Sequence, residues 1–206
     1  SNATFTLQGN DGSLTVSAIV NIAVTANTAP TLTYQNQSVA LNGSLIINPA
    51  TGPADNGGFS IVKQSSGTYT GDIQVDQTTG VISINNATPA GTHTITIRAT
   101  DNCGATTDTS FTLTVGKANQ TITFGAFANK NVGDPDFSVN ATATSGLRVS
   151  FAASGQCTVN SNTVHITGAG ACTITASQAG DSNFNPAPEV QQSFTIVSSA
   201  NSSLIT

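Results

Sequence analysis

The chain has 206 residues, and only 7% of them are charged, with ten acidic side chains against five basic ones. An average soluble domain is about 25% charged, so solubility must depend here on Thr, Ser, Asn, Gln and Gly. A net charge of −5 without a basic cluster argues against a nucleic-acid partner and against binding to an anionic membrane. The sequence contains no run that approaches the roughly 18 consecutive apolar residues of a membrane helix.

Apolar and polar residues alternate along most of the chain, whereas helical periodicity is nearly absent. Alternation is clearest from Leu14 to Val24 and from Ile95 to Ala99. Turn signals such as Asn42-Gly43 and Thr79-Gly80 separate the alternating runs. Many short strands with period-2 patterning and regular turn signals predict an all-β fold, either a sandwich or a barrel.

The first predicted element is a hairpin that lacks partner strands. Ser1-Asn2-Ala3 resembles the remnant of a cleaved expression tag, so residues 1–3 are left out of the fold prediction. Residues 4–29 are predicted to form two alternating strands and a linker. A two-stranded hairpin alone is marginal in water, so we expect it to close a preceding repeat, to pack on the next domain or to complete the sheet of another chain.

The same pair of strands recurs twice further along the chain. Phe5-Thr6-Leu7 followed by Val20-Asn21-Ile22 resembles Ile95-Thr96-Ile97 followed by Phe111-Thr112-Leu113, and Cys172-Thr173-Ile174 followed by Phe194-Thr195-Ile196 is a third version. A spacing of roughly 80–90 residues is too long for a solenoid repeat and indicates a tandem array of domains. The predicted division is residues 30–116, residues 117–197 and a tail over 198–206.

The second complete domain carries the more specific motifs. Gln120-Thr121-Ile122-Thr123-Phe124, Gly168-Ala169-Gly170-Ala171-Cys172 and Asp181-Ser182-Asn183-Phe184 occur in order across it. In these stretches residues 117–197 resemble a bacterial immunoglobulin-like repeat that occurs in tandem arrays of secreted and surface proteins. Residues 30–116 are similar to immunoglobulin-like and cadherin-like repeats, through Thr79-Gly80-Val81-Ile82 and Ala99-Thr100-Asp101-Asn102.

The resemblance implies tandem immunoglobulin-like β-sandwich domains in a secreted or cell-surface protein, with no catalytic residues to transfer. We expect non-catalytic spacer or adhesion modules whose partners are neighbouring repeats and a cell-surface glycan or protein, with no membrane insertion. One alternative is a carbohydrate-binding accessory module of a secreted polysaccharide-degrading enzyme. The shortage of aromatic residues argues against it, because sugars usually stack on Trp or Tyr and only Tyr34 and Tyr69 are available. Another is a linker stiffened by Ca²⁺.

The three cysteines predict one disulfide and one free thiol. Fourteen residues separate Cys157 from Cys172, and closing a loop of that length removes roughly 3 kcal/mol of unfolded-state freedom. Small secreted domains commonly depend on such bridges, although two buried free thiols are the alternative. Cys103 has no partner cysteine in its own domain, so we expect a free thiol or a bond to another chain.

Metal binding and catalysis have weaker support in the sequence. Ca²⁺ takes six to eight oxygen ligands, and the candidates are Asp55, Asp76, Asp101, Asp108, Asp134, Asp136 and Asp181. Aspartates at turns more often accept hydrogen bonds from the turn backbone, so no cofactor is predicted. His93 and His165 are the only histidines, neither lies in a catalytic motif, and His165 is predicted to face solvent; we therefore expect no enzymatic activity.

Overall fold

A computed structural model describes residues 2–198, so Ser1 and residues 199–206 of the predicted tail lie outside the described residues. Every regular element within residues 2–198 is a strand, which confirms the all-β fold class. The first two strands are β1 (Asn2–Asn10) and β2 (Thr15–Ala23). The next nine are β3 (Thr31–Thr33), β4 (Gln37–Ala40), β5 (Leu45–Ile47), β6 (Thr51–Ala54), β7 (Phe59–Ser65), β8 (Asp72–Val75), β9 (Ile82–Asn85), β10 (Gly91–Asp101) and β11 (Thr106–Gly116). The last nine are β12 (Ile122–Phe124), β13 (Lys130–Asn131), β14 (Phe137–Ser138), β15 (Ala141–Ala143), β16 (Ser150–Gly155), β17 (Cys157–Asn160), β18 (Thr163–Ile166), β19 (Gly170–Ser177) and β20 (Val190–Val197).

The predicted N-terminal hairpin is present. β1 and β2 are antiparallel and form a two-stranded sheet of their own, with Phe5 opposite Val20. The side chain of Asp11 closes the turn, because its Oδ1 accepts the amides of Ser13 and Leu14 at 3.0 and 2.8 Å. The strand begins at Asn2, so the segment assigned to a tag remnant contributes two residues to the sheet.

The strands from β3 to β11 form the first sandwich. Its sheets have the strand orders β4-β11-β10-β7, β5-β9-β8 and β3-β6. Because successive residues of a strand point to opposite faces, the alternating sequence delivers one apolar row from each strand to the interior. Ile61, Ile97 and Leu113 are fully buried in the four-stranded sheet, and Ile82 and Ile84 in the three-stranded sheet.

The strands from β12 to β20 form the second sandwich, whose core is rich in phenylalanine. The sheet orders are β13-β20-β19-β16, β14-β18-β17 and β12-β15. Phe127 lies at the centre of an aromatic cluster, with ring centroids 5.3 Å from Phe124, 6.0 Å from Phe137 and 5.7 Å from Phe194. Such edge-to-face contacts compensate for the small size of a domain that contains no tryptophan.

The two sandwiches share one topology. When the nine strands of each are numbered from its first, both have the strand orders 2-9-8-5, 3-7-6 and 1-4. The sequence indicated two kinds of repeat, because their motifs differ. The shared topology has a physical explanation, since strand alternation and turn positions specify pairing whereas the identity of each apolar residue does not.

The Cα atoms group in space into two compact units, and the limits of these units differ from those of the sheets. One contains residues 2–37, 45–85 and 93–113, and the other contains residues 38–44, 86–92 and 114–198. The sheets, in contrast, connect strands within 31–116 and within 122–197. The division at residue 116 therefore stays a prediction.

Candidate functional site

The predicted cysteine bridge connects two different sheets of the second sandwich. Cys157 begins β17 in the three-stranded sheet and Cys172 lies on β19 in the four-stranded sheet. They form a disulfide with Cα atoms 5.6 Å apart, and both residues are buried in the core. The bond therefore holds the two layers together at the centre of the domain. Cys103 is a free, exposed cysteine in the turn between β10 and β11.

Polar side chains fasten the linker after the hairpin to the first sandwich. Asn27 donates to Asp101 Oδ2 at 2.7 Å, and Asn56 donates to the carbonyl of Ala26 at 3.2 Å. Asp101 Oδ1 accepts the amides of Cys103 and Ala105, both at 2.8 Å. We call Asn27, Asn56 and Asp101 the linker clamp.

The linker clamp contains a buried carboxylate that stays charged. Asp101 is only 6% exposed, and burial by itself raises the pKa of a carboxyl group. The hydrogen bond from Asn27 and the bonds from backbone amides outweigh that effect and hold the pKa of Asp101 below its ordinary value. The last buried residue of β10 is thus an acceptor for the linker and for the following turn.

The seven aspartates proposed as Ca²⁺ ligands serve mainly as turn and pair acceptors. Asp76 accepts the amides of Thr78 and Thr79, which lowers its pKa. Asp181 accepts amides in its own turn, and Asp134 accepts the amide of Asn131. The two remaining pairs are Arg98 with Asp108 and His165 with Asp136, each at 2.7 Å.

Among the residues that the structure describes, only Asp55 retains a buried carboxylate oxygen without a hydrogen-bond partner. Asp55 accepts the amide of Gly57 through Oδ2, while its Oδ1 is buried with no hydrogen-bond partner. Asp101, at the same end of the sandwich, already uses both oxygens on N–H donors. Within residues 2–198 no group of three or more His, Cys, Asp or Glu side chains converges as a metal site. The donor set therefore fits Ca²⁺ only in part, through Asp55.

The two tyrosines that the sequence left available for sugar stacking are core residues, so neither offers its ring to a sugar. Tyr34 is 8% exposed, its hydroxyl donates to the carbonyl of Gly80 at 2.6 Å, and burial raises its pKa to about 12. Tyr69 is 3% exposed and packs edge-on against the ring of His93, with centroids 5.5 Å apart. Period-2 reasoning alone did not reveal this burial, because both tyrosines lie outside the regular strands.

The two histidines occupy different environments. His93 is buried, and its Nδ1 lies 2.8 Å from the hydroxyl of Thr68. His165 is exposed, as predicted, and contacts Asp136 on the surface. The two side chains thus belong to a core and to a solvated surface, and neither was placed in a functional role by the sequence.

An open groove lies on the second sandwich and was missed in the sequence. It has a volume of about 460 Å³, and its lining includes Phe151, Leu147, Arg148, Asn140 and Asn162. Phe151 is half-buried, with its ring 5.5 Å from that of Phe124. Arg148 takes part in none of the ion pairs among the described residues. The groove thus combines an aromatic ring, amide groups and an unpaired cation. Its components come from β15, β16 and three loops, so no local motif reveals it.

Comparison with known proteins shows no family for this chain. No family model and no curated protein matches the chain, and no helix within residues 2–198 has the length and apolarity to cross a membrane. Solved structures do match. A SusE-like, surface-located polysaccharide-binding protein from the heparin utilisation locus of Bacteroides thetaiotaomicron is 17% identical, with a TM-score of 0.38, over 84% of this chain and 34% of that one.

Cadherin repeats are also among the structural matches. Drosophila N-cadherin repeats EC1-4 are 14% identical with a TM-score of 0.35, over 95% of this chain and 58% of that one. Mouse cadherin-23 repeats EC22-24 are 16% identical with a TM-score of 0.42, over 96% of this chain and 73% of that one. This chain spans about a third of the length of the SusE-like protein and less than two thirds of the length of the N-cadherin fragment. The all-β sandwich fold itself follows from the strand orders of the sheets.

Proposed function

We propose that the chain is a non-catalytic, extracellular repeat segment that acts as a spacer or adhesion element of a large bacterial surface or secreted protein. The observation that supports this proposal best is the linker clamp. A spacer transmits position only if its joints resist bending, and a flexible linker of Gly and Ser residues does not do so. Here a charged, buried carboxylate holds the linker through Asn27, and Asn56 holds it at a second point.

The clamp predicts an ordered hairpin-to-sandwich joint. Spin labels at Ser17 and Ser60, introduced as cysteines in a Cys103→Ser background, report the distance across this joint by pulsed electron resonance. We expect a narrow distance distribution that broadens in Asn27→Ala. Asn21→Ala is the matched control, because Asn21 bonds only within the hairpin, to Thr4. A parent distribution as broad as that of Asn27→Ala would refute the stiff-joint proposal.

The second candidate function is carbohydrate binding, and the groove on the second sandwich favours it. Ligand pockets typically combine an apolar surface with a few placed polar groups, and Phe151, Arg148 and Asn140 offer that combination. The unpaired guanidinium of Arg148 favours acidic over neutral sugars, since guanidinium binds carboxylates in a bidentate geometry.

A glycan array that contains neutral and uronic-acid oligosaccharides tests the carbohydrate proposal. We expect binding that is reduced by Arg148→Gln and unchanged by Arg98→Gln, which removes a cation that does not line the groove. Absence of binding, or equal losses in both variants, would leave the spacer proposal without this addition.

Stiffening by Ca²⁺ is a separate proposal, supported by the unpartnered Oδ1 of Asp55. If Asp55 binds the ion, Ca²⁺ will raise the melting temperature of the first sandwich relative to EDTA. Asp55→Asn will abolish the increase, and Asp136→Asn, in the second sandwich, will not. An unchanged melting temperature would refute the proposal that Asp55 binds Ca²⁺.

A further inference from the structure

The N-terminal hairpin has one apolar face and one polar face. Directly opposed residues of antiparallel strands share a face, and the faces alternate along each strand. The pairs Phe5 with Val20 and Leu7 with Ala18 lie on one side, and Gln8 with Ser17 lies on the other. The large apolar members of the first side, hereafter the apolar face, are Phe5, Leu7, Val16, Val20 and Ile22.

The apolar face is open. These five side chains are 40–63% exposed. Ile19, the one large apolar residue of the opposite face of β1 and β2, is 68% exposed. Isolated exposed apolar residues are normal on protein surfaces, whereas a contiguous patch marks an interaction site. With roughly half of each side chain uncovered, the face presents on the order of 500 Å² of apolar surface, a size typical of functional patches.

Elsewhere in the chain the equivalent face is covered by another β-sheet. By the internal repeat, Phe5 and Leu7 correspond to Ile95 and Ile97 of β10, and Ile22 corresponds to Leu113 of β11. Ile95, Ile97 and Leu113 are all fully buried. In the shared nine-strand topology, β10 and β11 are the eighth and ninth strands, and they lie side by side in the four-stranded sheet. The apolar face therefore has the pattern of a sheet that packs against a second sheet.

We propose that the apolar face binds the same face of a second copy of this chain, so that two hairpins form a small two-layer β-sandwich. No Lys, Arg, Asp or Glu lies on β1 or β2, so a net charge of −5 produces no local repulsion between the copies. Two faces of this size bury about 1,000 Å² together, the level that a specific interface must reach. A two-fold arrangement is closed and self-complementary, so it stops at the dimer.

The oligomeric state of the full chain tests this proposal. Sedimentation equilibrium of Cys103→Ser, a background that prevents intermolecular thiol bonds, should show a concentration-dependent rise from the monomer mass to the dimer mass. In the same background Leu7→Lys places a charge on the apolar face, and its adjacent control Gln8→Lys places the same charge on the polar face. Because a two-fold interface contains each substitution twice, Leu7→Lys should weaken dimerisation by about tenfold or more, whereas Gln8→Lys should leave it unchanged.

Three results would overturn the proposal. A monomer at all concentrations would exclude a second copy and leave a preceding domain as the owner of the face. Equal weakening by Leu7→Lys and Gln8→Lys would indicate strand-edge pairing instead of face-to-face packing. Dimers that disappear in Cys103→Ser would be thiol-linked. Leu7 lies outside both sandwich cores, so unchanged melting transitions confirm that each variant is folded.

Discussion

Removal of the disulfide should destabilise the second sandwich and leave the first unchanged. The bridge spans a sequence separation of 15 residues, for which the chain-entropy relation gives about 3 kcal/mol. In Cys157→Ala/Cys172→Ala the loss of two buried sulfur atoms adds a cavity cost, so we expect a total of about 3–4 kcal/mol. A domain of this size has a free energy of unfolding of roughly 4–12 kcal/mol, so the loss is a large fraction of it.

The chain offers a way to assign the effect to one domain. Its only two tyrosines, Tyr34 and Tyr69, are both buried in the first sandwich. Tyrosine fluorescence therefore follows the unfolding of the first sandwich, while calorimetry follows both. At roughly 4–8 °C per kcal/mol for a domain of this length, the calorimetric transition of the second sandwich should fall by more than about 10 °C. The transition seen by tyrosine should not move.

The control for this experiment is Cys103→Ser, which removes the exposed free thiol and should change neither transition. A loss of less than about 1 kcal/mol in the double variant would refute the entropic argument, which requires about 3 kcal/mol. An equal fall in the tyrosine transition would show that the two sandwiches unfold together.

Three other changes have expected outcomes. Tyr34→Phe removes the buried hydroxyl that donates to Gly80, and it should lower the free energy of unfolding by about 1 kcal/mol, measured by urea unfolding. The pKa of Tyr34 in the folded state is raised to about 12 from 10.0. The neutral hydroxyl therefore stabilises the fold below pH 10, and this contribution is lost as the pH rises towards 12. The pKa of Asp101 is lowered in the folded state, so this carboxylate stabilises the fold above its ordinary pKa of 3.8 and loses that effect as the pH falls below 3.8. The tyrosine-detected melting temperature of the first sandwich should fall in that acid range, and it should fall less steeply in Asp101→Asn. Gly155 has a φ of +87°, and a Cβ added there would clash with the backbone of Ala171. Gly146 has a similar φ of +76°, but a Cβ there would meet nothing within 4 Å. Gly155→Ala should therefore destabilise the second sandwich more than Gly146→Ala, and equal losses would show that backbone conformation alone determines the loss of stability.

The burial of the two tyrosines could not be predicted from the sequence. Alternation correctly predicted the buried rows of regular strands, such as Ile95 and Ile97 on β10. Tyr34 and Tyr69 lie in connecting segments, where period 2 does not apply, so alternation could not indicate whether their rings are buried or available for sugar stacking. In the structure each ring completes the core and each hydroxyl contacts a backbone carbonyl.

The groove and the linker clamp were beyond prediction for a different reason. Arg148 and Asn162 line the same groove, although no motif connects them along the chain. Asn27 and Asp101 are separated by 74 residues, and their contact depends on the direction in which the linker leaves the hairpin. Such pairs arise from strand order, which determines which loops meet at the end of a sandwich.

The sequence by itself determined the all-β class, and it predicted the recurring hairpin and a bridge between Cys157 and Cys172. These properties depend on local periodicity, on turn residues and on the number of residues between two positions, all of which can be read directly from the sequence. Only the tertiary structure decided that two dissimilar repeats have the same nine-strand topology and that the carboxylate of Asp101 is buried under the linker. It also decided that the apolar face of the hairpin is uncovered, because burial depends on which surfaces meet after the strands have paired.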